Sequence, residues 1–479
     1  MTTTEFTALL PLLGIAATSI VLMSAIAIRR DRRWTISITL VGLAISLGLL
    51  LAARPVVPRS VTALLVIDGY ALFFFALVIS TAAVVALLAY DYLDRRNTVC
   101  HEFYLLLLFA TLGSCVLTAA SHFVSLFLGL EILSVSLYAM VAYLRTTERS
   151  LEAGIKYLIL AAVSSAFMLF GMALIYAQTG TMAFSALASL QLRPGAAPVL
   201  MTVAGVALMM VGVGFKLALA PFHMWTADVY EGAPAPVTAY IATVSKAAVV
   251  ALLIRLLAAA DTPAPQLIGL MALLAGASII AGNLLALRQD NVKRMLAYSS
   301  IAHMGYLMIA VIAGGVNGAE TAAFYLAAYL PTTLGAFGVV TVLSSGDRDC
   351  DRLDDYNGLG GRRPLLAGIL TVTMLSLAGI PLTAGFIGKF LVLSAGAGSG
   401  QWALTLILVL GSVISIYYYL RVIVAMYMRR DDDAIKASAP SQVSLAVGAT
   451  LAALIVVLLW LGVWPTPFLE IIHRTVGAL

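Results

Sequence analysis

The sequence predicts an all-α integral membrane protein with about fourteen transmembrane helices, and three observations support this fold class. Hydrophobic residues make up 62% of the 479 residues and charged residues only 11%, a composition that no soluble domain of this size tolerates. The apolar residues fall into runs of about 20, which is the length a helix needs to cross the bilayer. Strand-like alternation is absent, which excludes a membrane β-barrel.

Fourteen apolar runs are predicted as spans, numbered 1 to 14 along the chain. The two longest loops, Ser344 to Pro364 and Gln178 to Pro198, are too short to fold as soluble domains. The runs cover residues 9–28, 36–53, 64–90, 103–120, 122–144, 154–177, 199–225, 236–258, 266–286, 298–314, 320–343, 365–395, 403–428 and 443–463.

The basic residues of the loops predict the orientation in the membrane. The first ten residues carry no Lys or Arg, and the first basic cluster, residues 29–33, follows span 1. This order is typical of a retained helix with its N-terminus outside rather than of a cleaved signal peptide. Fourteen alternating spans then place the C-terminus outside as well.

Counting basic residues supports this orientation. Only four lie in outer loops, namely Arg54, Arg59, Arg193 and Arg474. The excess of basic residues in the inner loops agrees with the positive-inside rule. It also explains the net charge of +5 without a nucleic-acid partner. The 18 residues predicted inside are Arg29, Arg30, Arg32, Arg33, Arg95, Arg96, Arg145, Arg149, Arg288, Lys293, Arg294, Arg348, Arg352, Arg362, Arg363, Arg429, Arg430 and Lys436.

No cofactor or metal site is expected on this chain. Cys100, Cys115 and Cys350 are scattered without CxxC spacing, which argues against iron–sulfur and structural zinc sites. The Gly-Lys pair at 388–389 lacks the upstream glycine of a Walker A motif, and no GxGxxG follows a strand. Any redox or nucleotide chemistry that the protein serves is therefore expected on other chains.

Spans 7 and 12 each contain a proline near a lysine. Span 7 ends in GVGFKLALAPFHMW, with Lys216 and Pro221, and span 12 contains LAGIPLTAGFIGKF, with Pro381 and Lys389. A proline inside a helix removes a backbone donor and clashes with the preceding turn. Both helices are therefore predicted to be broken inside the membrane, where protein or a wet cavity must satisfy the freed backbone groups.

Broken helices five spans apart predict an internal repeat. We expect spans 4 to 8 and 9 to 13 to form two five-helix repeats, which are inverted because each has an odd number of helices. The predicted units are an N-terminal three-helix segment (1–102), the first repeat (103–258), the second repeat (265–428) and a C-terminal helix (429–479).

Four ionisable residues are predicted deep in the membrane, namely Glu131, Lys216, Lys246 and Lys389. Each central charge costs roughly 2.5 to 3.5 kcal/mol, so the four together cost on the order of 10 kcal/mol. A purely structural ion pair explains one glutamate and one lysine and leaves two lysines unpaired. Burial disfavours an ammonium and a nearby carboxylate favours it, so the four residues are predicted to relay protons.

The remaining bases within spans are expected to lie near the membrane surface. Arg255 and Arg421 lie close to span ends, from which they can reach the headgroups. Lys156, beside Glu152, is expected at the interface, with a proton entry point as the alternative.

Two histidines are candidates for proton access. His223 lies two residues past the proline of span 7, although a satisfied interfacial histidine explains it equally well. His303 lies inside span 10 and is the candidate for the second half of the chain. Span 11 also carries a polar stripe that could belong to a proton route, although helix packing explains it nearly as well. Its residues are Tyr325, Tyr329, Thr332 and Thr333.

Four segments resemble the antiporter-like subunits of respiratory complex I. They are SLFLGLEILSVSLYAMVAYLR, GFKLALAPFHMWTADVYEGAPAPVTAYIATVSKAA, NVKRMLAYSSIAHMGY and LSLAGIPLTAGFIGKF. The resemblance covers roughly residues 100–430, while the first three helices match in number only. It implies that Glu131 pairs with Lys216, that Lys246 is central and that Lys389 faces the exit side.

Two details fit the subunit N branch of that family. Span 12 carries Lys389 where the M branch has a glutamate, and the chain ends after span 14 without the lateral helix of the L branch. The resemblance implies a bacterial plasma membrane location, neighbouring subunits K and M, and protons as the transported species. It also implies that NADH and quinone bind to other subunits.

Three functions are compatible with these features. The first is a proton-translocating module of the NADH–quinone oxidoreductase, with no redox centre on this chain. The second is a subunit of a multi-subunit sodium–proton antiporter, whose relatives share the lysine and glutamate pattern. The third is a passive scaffold that joins other subunits, which the cost of the central charges disfavours.

Overall fold

The computed structural model describes residues 2–189, 198–260, 265–428 and 443–477, and over these ranges the chain is a helical bundle. Twelve of the described helices are long and apolar enough to cross a membrane. Predicted spans 7 and 12 consist of shorter apolar helices. The prediction of a multi-pass, all-α membrane protein with about fourteen spans is therefore confirmed. Some predictions fall outside the described residues. They are the loop bases Arg193, Arg429, Arg430 and Lys436 and the start of the 429–479 unit.

The first six spans are continuous helices that overlap the predicted runs. They are α1 (Thr3–Ile28), α2 (Arg32–Ala53), α3 (Gly69–Arg95), α4 (His101–Ala119), α5 (Phe123–Val141) and α6 (Glu148–Thr179). Short 3₁₀ turns cover Arg54–Val56, Phe184–Ser189 and Leu353–Tyr356.

The following spans include the two interrupted ones. Span 7 is divided into α7 (Pro198–Leu217) and α8 (Thr226–Gly232), and span 8 consists of α9 (Ala235–Tyr240), a π-helical turn (Ile241–Ser245) and α10 (Lys246–Ala259). The rest of the chain forms α11 (Pro265–Ala286), α12 (Val292–Ala313), α13 (Gly315–Leu343), α14 (Leu359–Arg362), α15 (Pro364–Ala378), α16 (Ala384–Gly398), α17 (Trp402–Tyr427), α18 (Leu445–Val463) and α19 (Thr466–Val476).

A small antiparallel hairpin precedes α3. It pairs β1 (Arg59–Val61) with β2 (Leu65–Ile67). The predicted start of span 3 near residue 64 is therefore wrong, because the β-branched residues of β2 pair as a strand. The helix begins only at Gly69, where the side chain of Asp68 accepts a hydrogen bond from the backbone of Ala71 at 2.8 Å and caps the first turn.

The loops lie on two faces of the bundle. The face at which α1 begins, called here the N-terminal face, holds the hairpin, the bridge between His122 and Ala183, and α19. The opposite face, called here the basic face, holds ion pairs such as Arg96–Asp349, with 2.9 Å between nitrogen and oxygen. Every described basic residue predicted inside belongs to the helix ends and loops of the basic face.

The centre of the bundle is formed by spans 8, 10 and 11. In the most apolar 18-residue stretch of α12, and likewise of α13, 94% of the residues are buried. In the corresponding stretch across α9 and α10, 83% of the residues are buried. The corresponding stretches of α1 and α6 are only 33% buried, so these helices lie at the periphery. A charged residue on α10 or α12 is thus enclosed by protein rather than by lipid.

Candidate functional site

Span 7 is broken as predicted. Helix α7 ends at Leu217, before the proline. The indole nitrogen of Trp225 donates to the carbonyl of Phe215 at 3.1 Å, and the backbone nitrogen of Ala220 donates to Ser278 Oγ at 2.8 Å. These contacts satisfy backbone groups that the break releases from the helical pattern, as burial at this depth requires.

Span 12 is also broken, between α15 and α16. Helix α15 ends at Ala378, and Gly379 follows in the left-handed region with φ +84°. Gly385, in the first turn of α16, packs so closely that a Cβ atom there would lie 1.9 Å from the carbonyl oxygen of Ser376. Only glycine fits this close approach of the two half-helices.

Each break places a lysine at the C-terminal end of a half-helix. Lys216 lies in the last turn of α7, and Lys389 Nζ donates to the carbonyl oxygen of Ala378, the last residue of α15, at 2.9 Å. The C-terminal end of a helix carries a partial negative charge. The Lys216 and Lys389 side chains are 3% and 7% exposed, and the Lys389 ammonium is stabilised by the end of α15.

Lys216 is enclosed by α5 and α6. Its Nζ donates to Ser134 Oγ at 2.7 Å and lies 5.8 and 5.3 Å from the ring centroids of Tyr138 and Tyr157. Aromatic faces attract a cation at these distances. The ring of Phe215 lies at 5.9 Å, so the lysine is held by one hydroxyl and three π systems.

Glu131 lies on α5 and is only half-buried. Its Oε1 accepts a hydrogen bond from Ser165 Oγ at 2.8 Å. Within the described part of the chain Glu131 forms no ion pair shorter than 4.0 Å, so the direct pair with Lys216 expected from the family resemblance is not formed. The serine that binds Lys216 lies one helical turn after the glutamate on the same helix, so the two charges are neighbours without contact.

Lys246 is fully buried at the start of α10, directly after the π-helical turn. Its Nζ donates to Ser300 Oγ at 2.6 Å, and that oxygen is 2.6 Å from the hydroxyl of Tyr329. Single π-helical turns inside α-helices occur frequently at functional sites. The contact joins span 8 to spans 10 and 11 through hydroxyl groups.

His303 continues this polar network toward the second break. Its Nδ1 is 2.7 Å from the hydroxyl of Tyr325, and its Nε2 is 3.2 Å from that of Tyr419. Tyr419 also contacts Ser299. The histidine is 4% exposed, and its role in proton access stays a prediction.

A small cavity links His303 to the break between α15 and α16. Its volume is about 10 Å³ and its lining includes His303, Tyr325, Tyr329, Ser376 and Gly385. This volume has room for roughly one water molecule. The cavity therefore brings the hydroxyl network around Lys246 next to the break that holds Lys389.

An aromatic layer lies between Lys216 and Lys246. The rings of Tyr157 and Trp225 stack with centroids 4.8 Å apart, and Trp225 meets Tyr230 edge-on at 6.5 Å. Lys216 contacts the Tyr157 end of this layer, and Lys246 Nζ lies 5.8 Å from the Tyr230 ring centroid. The two lysines are thus separated by rings, whereas Lys246 and His303 are connected by hydroxyls.

His223 lies in the break of span 7 and is half-buried. In the part of the chain that the structure describes, its Nδ1 is buried and has no hydrogen-bond partner. The structure thus places His223 beside the break without a bond to Lys216, and its role in proton access stays a prediction.

Arg255 does not reach the membrane surface, and the prediction that it does is wrong. Its guanidinium forms two hydrogen bonds with Asp68, at 2.9 and 2.8 Å, and donates to the carbonyl of Thr118 at 3.0 Å. It is 7% exposed. The sequence shows a lone arginine near a span end because its partner lies 187 residues away.

The other two bases predicted at the interface lie among helix ends and loops, in keeping with that prediction. Lys156 lies at the basic face, where it pairs with Glu152 at 2.6 Å and with Asp228 of α8 at 2.9 Å. Arg421 also lies there, pairs with Asp290 and donates to the carbonyl of Gln289 at 3.1 Å. Both side chains remain partly exposed.

Lys293 is not a loop residue, contrary to the sequence prediction. It lies in the first turn of α12, is fully buried and donates to the carbonyls of Glu231 and Ala233 at 2.9 and 2.6 Å. It also pairs with Asp349 at 2.7 Å. Burial raises the pKa of the Asp349 carboxyl, but Lys293 and Arg96 outweigh this effect and hold that pKa below its usual range. Lys293 thereby fastens the C-terminal end of α8 to the second half of the bundle.

The sequence prediction missed the neutral partners of the buried charges. Ser134 and Ser165 bind Lys216 and Glu131, and Tyr419 binds His303. Ser134 gives a usable signal, since its spacing of three residues from Glu131 places both on one helix face. The structure shows no group of three or more His, Cys, Asp or Glu placed to hold a metal ion among the described residues.

The fold and the line of buried charges on broken helices define a class of protein, the antiporter-like membrane subunits. Residues 120–415 match the family model described as NADH:quinone oxidoreductase/Mrp antiporter, transmembrane. The chain is 48% identical over 484 residues to NADH-quinone oxidoreductase subunit N of Ectopseudomonas mendocina (strain ymp), covering 98% of this chain and 97% of that protein. The chain belongs to the NADH-quinone oxidoreductase subunit N family.

Solved structures agree with this assignment. A chain of respiratory complex I from Thermus thermophilus with bound aureothin is 35% identical, with a TM-score of 0.81 over 96% of this chain and 98% of that one. A chain of the Mrp complex from Dietzia sp. DQ12-45-1b has a TM-score of 0.86 over 100% of this chain and 98% of that one, at 21% identity. The second likeness concerns the fold alone.

Proposed function

We propose that this chain is a proton-translocating membrane-arm subunit of bacterial NADH–quinone oxidoreductase (complex I). Protons move along Glu131, Lys216, Lys246 and Lys389. The observation that carries this proposal is that three buried lysines donate to neutral groups, namely Ser134 Oγ, Ser300 Oγ and the Ala378 carbonyl. A carboxylate partner strongly favours the ammonium form, whereas a neutral partner leaves the lysine able to lose its proton.

The energy for transport comes from redox chemistry in other subunits, and this chain holds no redox centre. A change of charge or conformation reaches Glu131, which is half-buried on α5, and alters its attraction for Lys216. The altered protonation of Lys216 then changes the field at Lys246, and Lys246 in turn acts on Lys389. Coulomb interactions have this reach because the surroundings are a low-dielectric bundle interior.

The hydroxyl network supplies the route from Lys246 onward. Ser300 and Tyr329 each carry a group that donates and accepts, so a proton taken up on one side is released on the other. His303 has two ring nitrogens with separate partners, which suits it to pass a proton between them. His223 serves as the matching access group at the first break.

The two breaks support the proposed inverted repeat of spans 4 to 8 (103–258) and 9 to 13 (265–428). Helices α7 and α15 run in opposite directions through the bundle, and each ends inside it beside a lysine. Repeats related by inversion place such half-helices at corresponding depths. The segments 1–102 and 429–479 then flank the repeated core.

The charge distribution and the relatives support a proposal for the position in the cell. The basic face lies in the bacterial cytoplasm and the N-terminal face with both termini lies outside the inner membrane, in keeping with the positive-inside rule. Neighbouring subunits are K and M, and NADH and quinone bind to other subunits of the complex.

A sodium–proton antiporter subunit is the second candidate, since the same family model includes Mrp antiporters. The buried charges do not distinguish the two functions. The near full-length match to subunit N at 48% identity favours complex I. A passive scaffold explains neither the broken helices nor the cost of the buried lysines.

Affinity capture of the tagged chain from native membranes separates complex I from the antiporter. We expect flavin- and iron–sulfur-containing subunits to copurify. A purified assembly without such subunits would contradict the complex I assignment.

Replacement of Lys216 by alanine tests proton translocation itself. The complex should assemble but lose most of its proton transfer, because the neutral side chain removes the first lysine of the relay. Arg59→Ala on the exposed hairpin is the control. Normal turnover with a full proton yield in Lys216→Ala would contradict the proposal.

A further inference from the structure

A polar pocket opens at the N-terminal face, outside the site described above. It encloses about 710 Å³ between the turn joining α12 to α13, the end of α16 and helix α19. Its polar lining residues are Asn317, Glu320, Thr321, Ser394 and Ser399. A pocket of this size and polarity fills with water, since a single water molecule needs only about 15 Å³.

Glu320 is the one titratable side chain among the described residues that line this pocket. Its Oε1 is 2.7 Å from Nδ1 of His473 on α19. The side chain of Glu320 is 21% exposed and that of His473 is 74% exposed. The pair thus lies between the pocket and bulk water.

Helix α13 leads from the buried network to this pocket. Thr321 lines the pocket, Tyr325 contacts His303, and Tyr329 contacts Ser300. The three α13 residues are spaced four apart, so they form one stripe with successive steps of about 6 Å along the helix axis. Polar side chains therefore continue from the partner of Lys246 to the pocket wall.

Helix α16 approaches the same pocket from Lys389. Ser394 lies five residues after the lysine, about 7.5 Å along the axis, and lines the pocket. Gly388 packs against Tyr325, where a Cβ atom would be 3.2 Å from the ring. The stripe of α13 and the lysine of α16 thus converge on one side of the pocket.

We propose that this pocket is the outlet of the proton pathway and that Glu320 is its proton-release residue. The inference rests on the proposed function. The Lys389 ammonium transfers a proton through pocket water to the Glu320 carboxylate, which then loses it to bulk water outside. His473 positions the carboxylate at the mouth of the pocket.

A cysteine at Ser394 tests the outlet directly. The assembled complex carrying Ser394→Cys is treated with a membrane-impermeant methanethiosulfonate in right-side-out vesicles, which are then everted and energised with NADH. Cys100 and Cys115 are buried and Cys350 lies in a basic-face loop, so the native thiols are shielded from the reagent. Modified Ser60→Cys, on the exposed hairpin, is the matched control.

We expect modification of Ser394→Cys to lower proton transfer and the coupled NADH oxidation together by at least fivefold. The unmodified Ser394→Cys complex and the modified Ser60→Cys complex should keep both activities. Oxidation of NADH by an acceptor that bypasses the membrane arm should stay at the normal rate in every sample. Full activity after modification of Ser394→Cys overturns the pocket as the outlet.

Glu320→Gln tests the release residue separately, with Glu470→Gln on the exposed face of α19 as the control. We expect a severalfold loss of proton transfer in Glu320→Gln alone. Full activity of that variant overturns the role of Glu320. If these variants are fully active while Lys246→Met is inactive, the outlet is wrong and the proposed function stands. A fully active Lys246→Met variant contradicts the proposed function instead.

Discussion

Lys389 Nζ donates a hydrogen bond to the carbonyl oxygen of Ala378 across the break between α15 and α16, with 2.9 Å between the atoms. The lysine belongs to one half-helix and the carbonyl ends the other. Because the end of α15 carries a partial negative charge, the break itself is the partner of the buried ammonium. We therefore expect the geometry of the break to influence the protonation of Lys389.

Gly379→Ala should disturb this contact. Gly379 has φ +84°, which costs an alanine about 1 to 2 kcal/mol, and a Cβ atom there would lie 2.8 Å from Lys389 Cδ. We expect proton transfer by the assembled complex to fall severalfold. Gly368→Ala on the same half-helix has open space around its Cβ and should leave transfer unchanged. Equal rates in both variants would show that the break does not position the lysine.

Tyr329→Phe should slow proton transfer from Lys246. The change removes the hydroxyl that contacts Ser300 while it keeps the ring. We expect a roughly tenfold slower transfer, which corresponds to about 1.4 kcal/mol. Tyr240→Phe is the control, since the hydroxyl of that buried tyrosine contacts Thr111. Comparable rates of NADH-driven proton transfer in reconstituted Tyr329→Phe and wild-type complexes would exclude Tyr329 from the route.

Two serines of α5 provide a matched test of Lys216. Ser134→Ala removes the hydroxyl that accepts from the ammonium, and a buried polar group left without its partner costs about 1 to 3 kcal/mol. Ser136 is also buried, and among the described residues it bonds to the carbonyl of Ile132 on its own helix. We expect Ser134→Ala to reduce coupled turnover and Ser136→Ala to leave it near the wild-type value. An equal effect of both changes on coupled turnover would show that the contact between Ser134 and Lys216 is not needed for transport.

The ion pair between Arg255 and Asp68 should contribute to stability and not to transport. Arg255→Ala leaves a largely buried carboxylate without its partner, which typically costs about 3 to 5 kcal/mol. We expect less assembled complex and a lower unfolding temperature, with normal activity per assembled complex. The double variant Asp68→Asn, Arg255→Met should recover part of the stability. A loss of activity per complex would instead assign this pair to the pathway.

The sequence predicts the helical bundle, the two breaks and the three buried lysines because hydropathy makes a charge or a proline within an apolar run conspicuous. It does not predict their partners, which come from distant segments. Ser134 is 82 residues from Lys216, and Ser300 is 54 residues from Lys246. Arg255 illustrates the same limit, since a position near a span end suits a headgroup anchor and a buried ion pair equally well.

A second limit of prediction from the sequence concerns charged residues close to loops near the membrane surface. Lys293 follows a charged loop, so its sequence context is that of a solvated residue. Its burial depends on the end of α8 packing over α12, which brings the carbonyls of Glu231 and Ala233 to its ammonium. Tertiary packing of this kind leaves no periodic pattern in the chain.

Proton yield in proteoliposomes containing the Lys246→Met complex tests the central claim most directly. Methionine nearly preserves the volume of the fully buried side chain but removes the titrating group. We expect an assembled complex that oxidises NADH with an artificial acceptor at the normal rate and has lost most of its proton transfer. A full proton yield per NADH at normal coupled turnover would contradict the claim that buried lysines of this chain carry the proton.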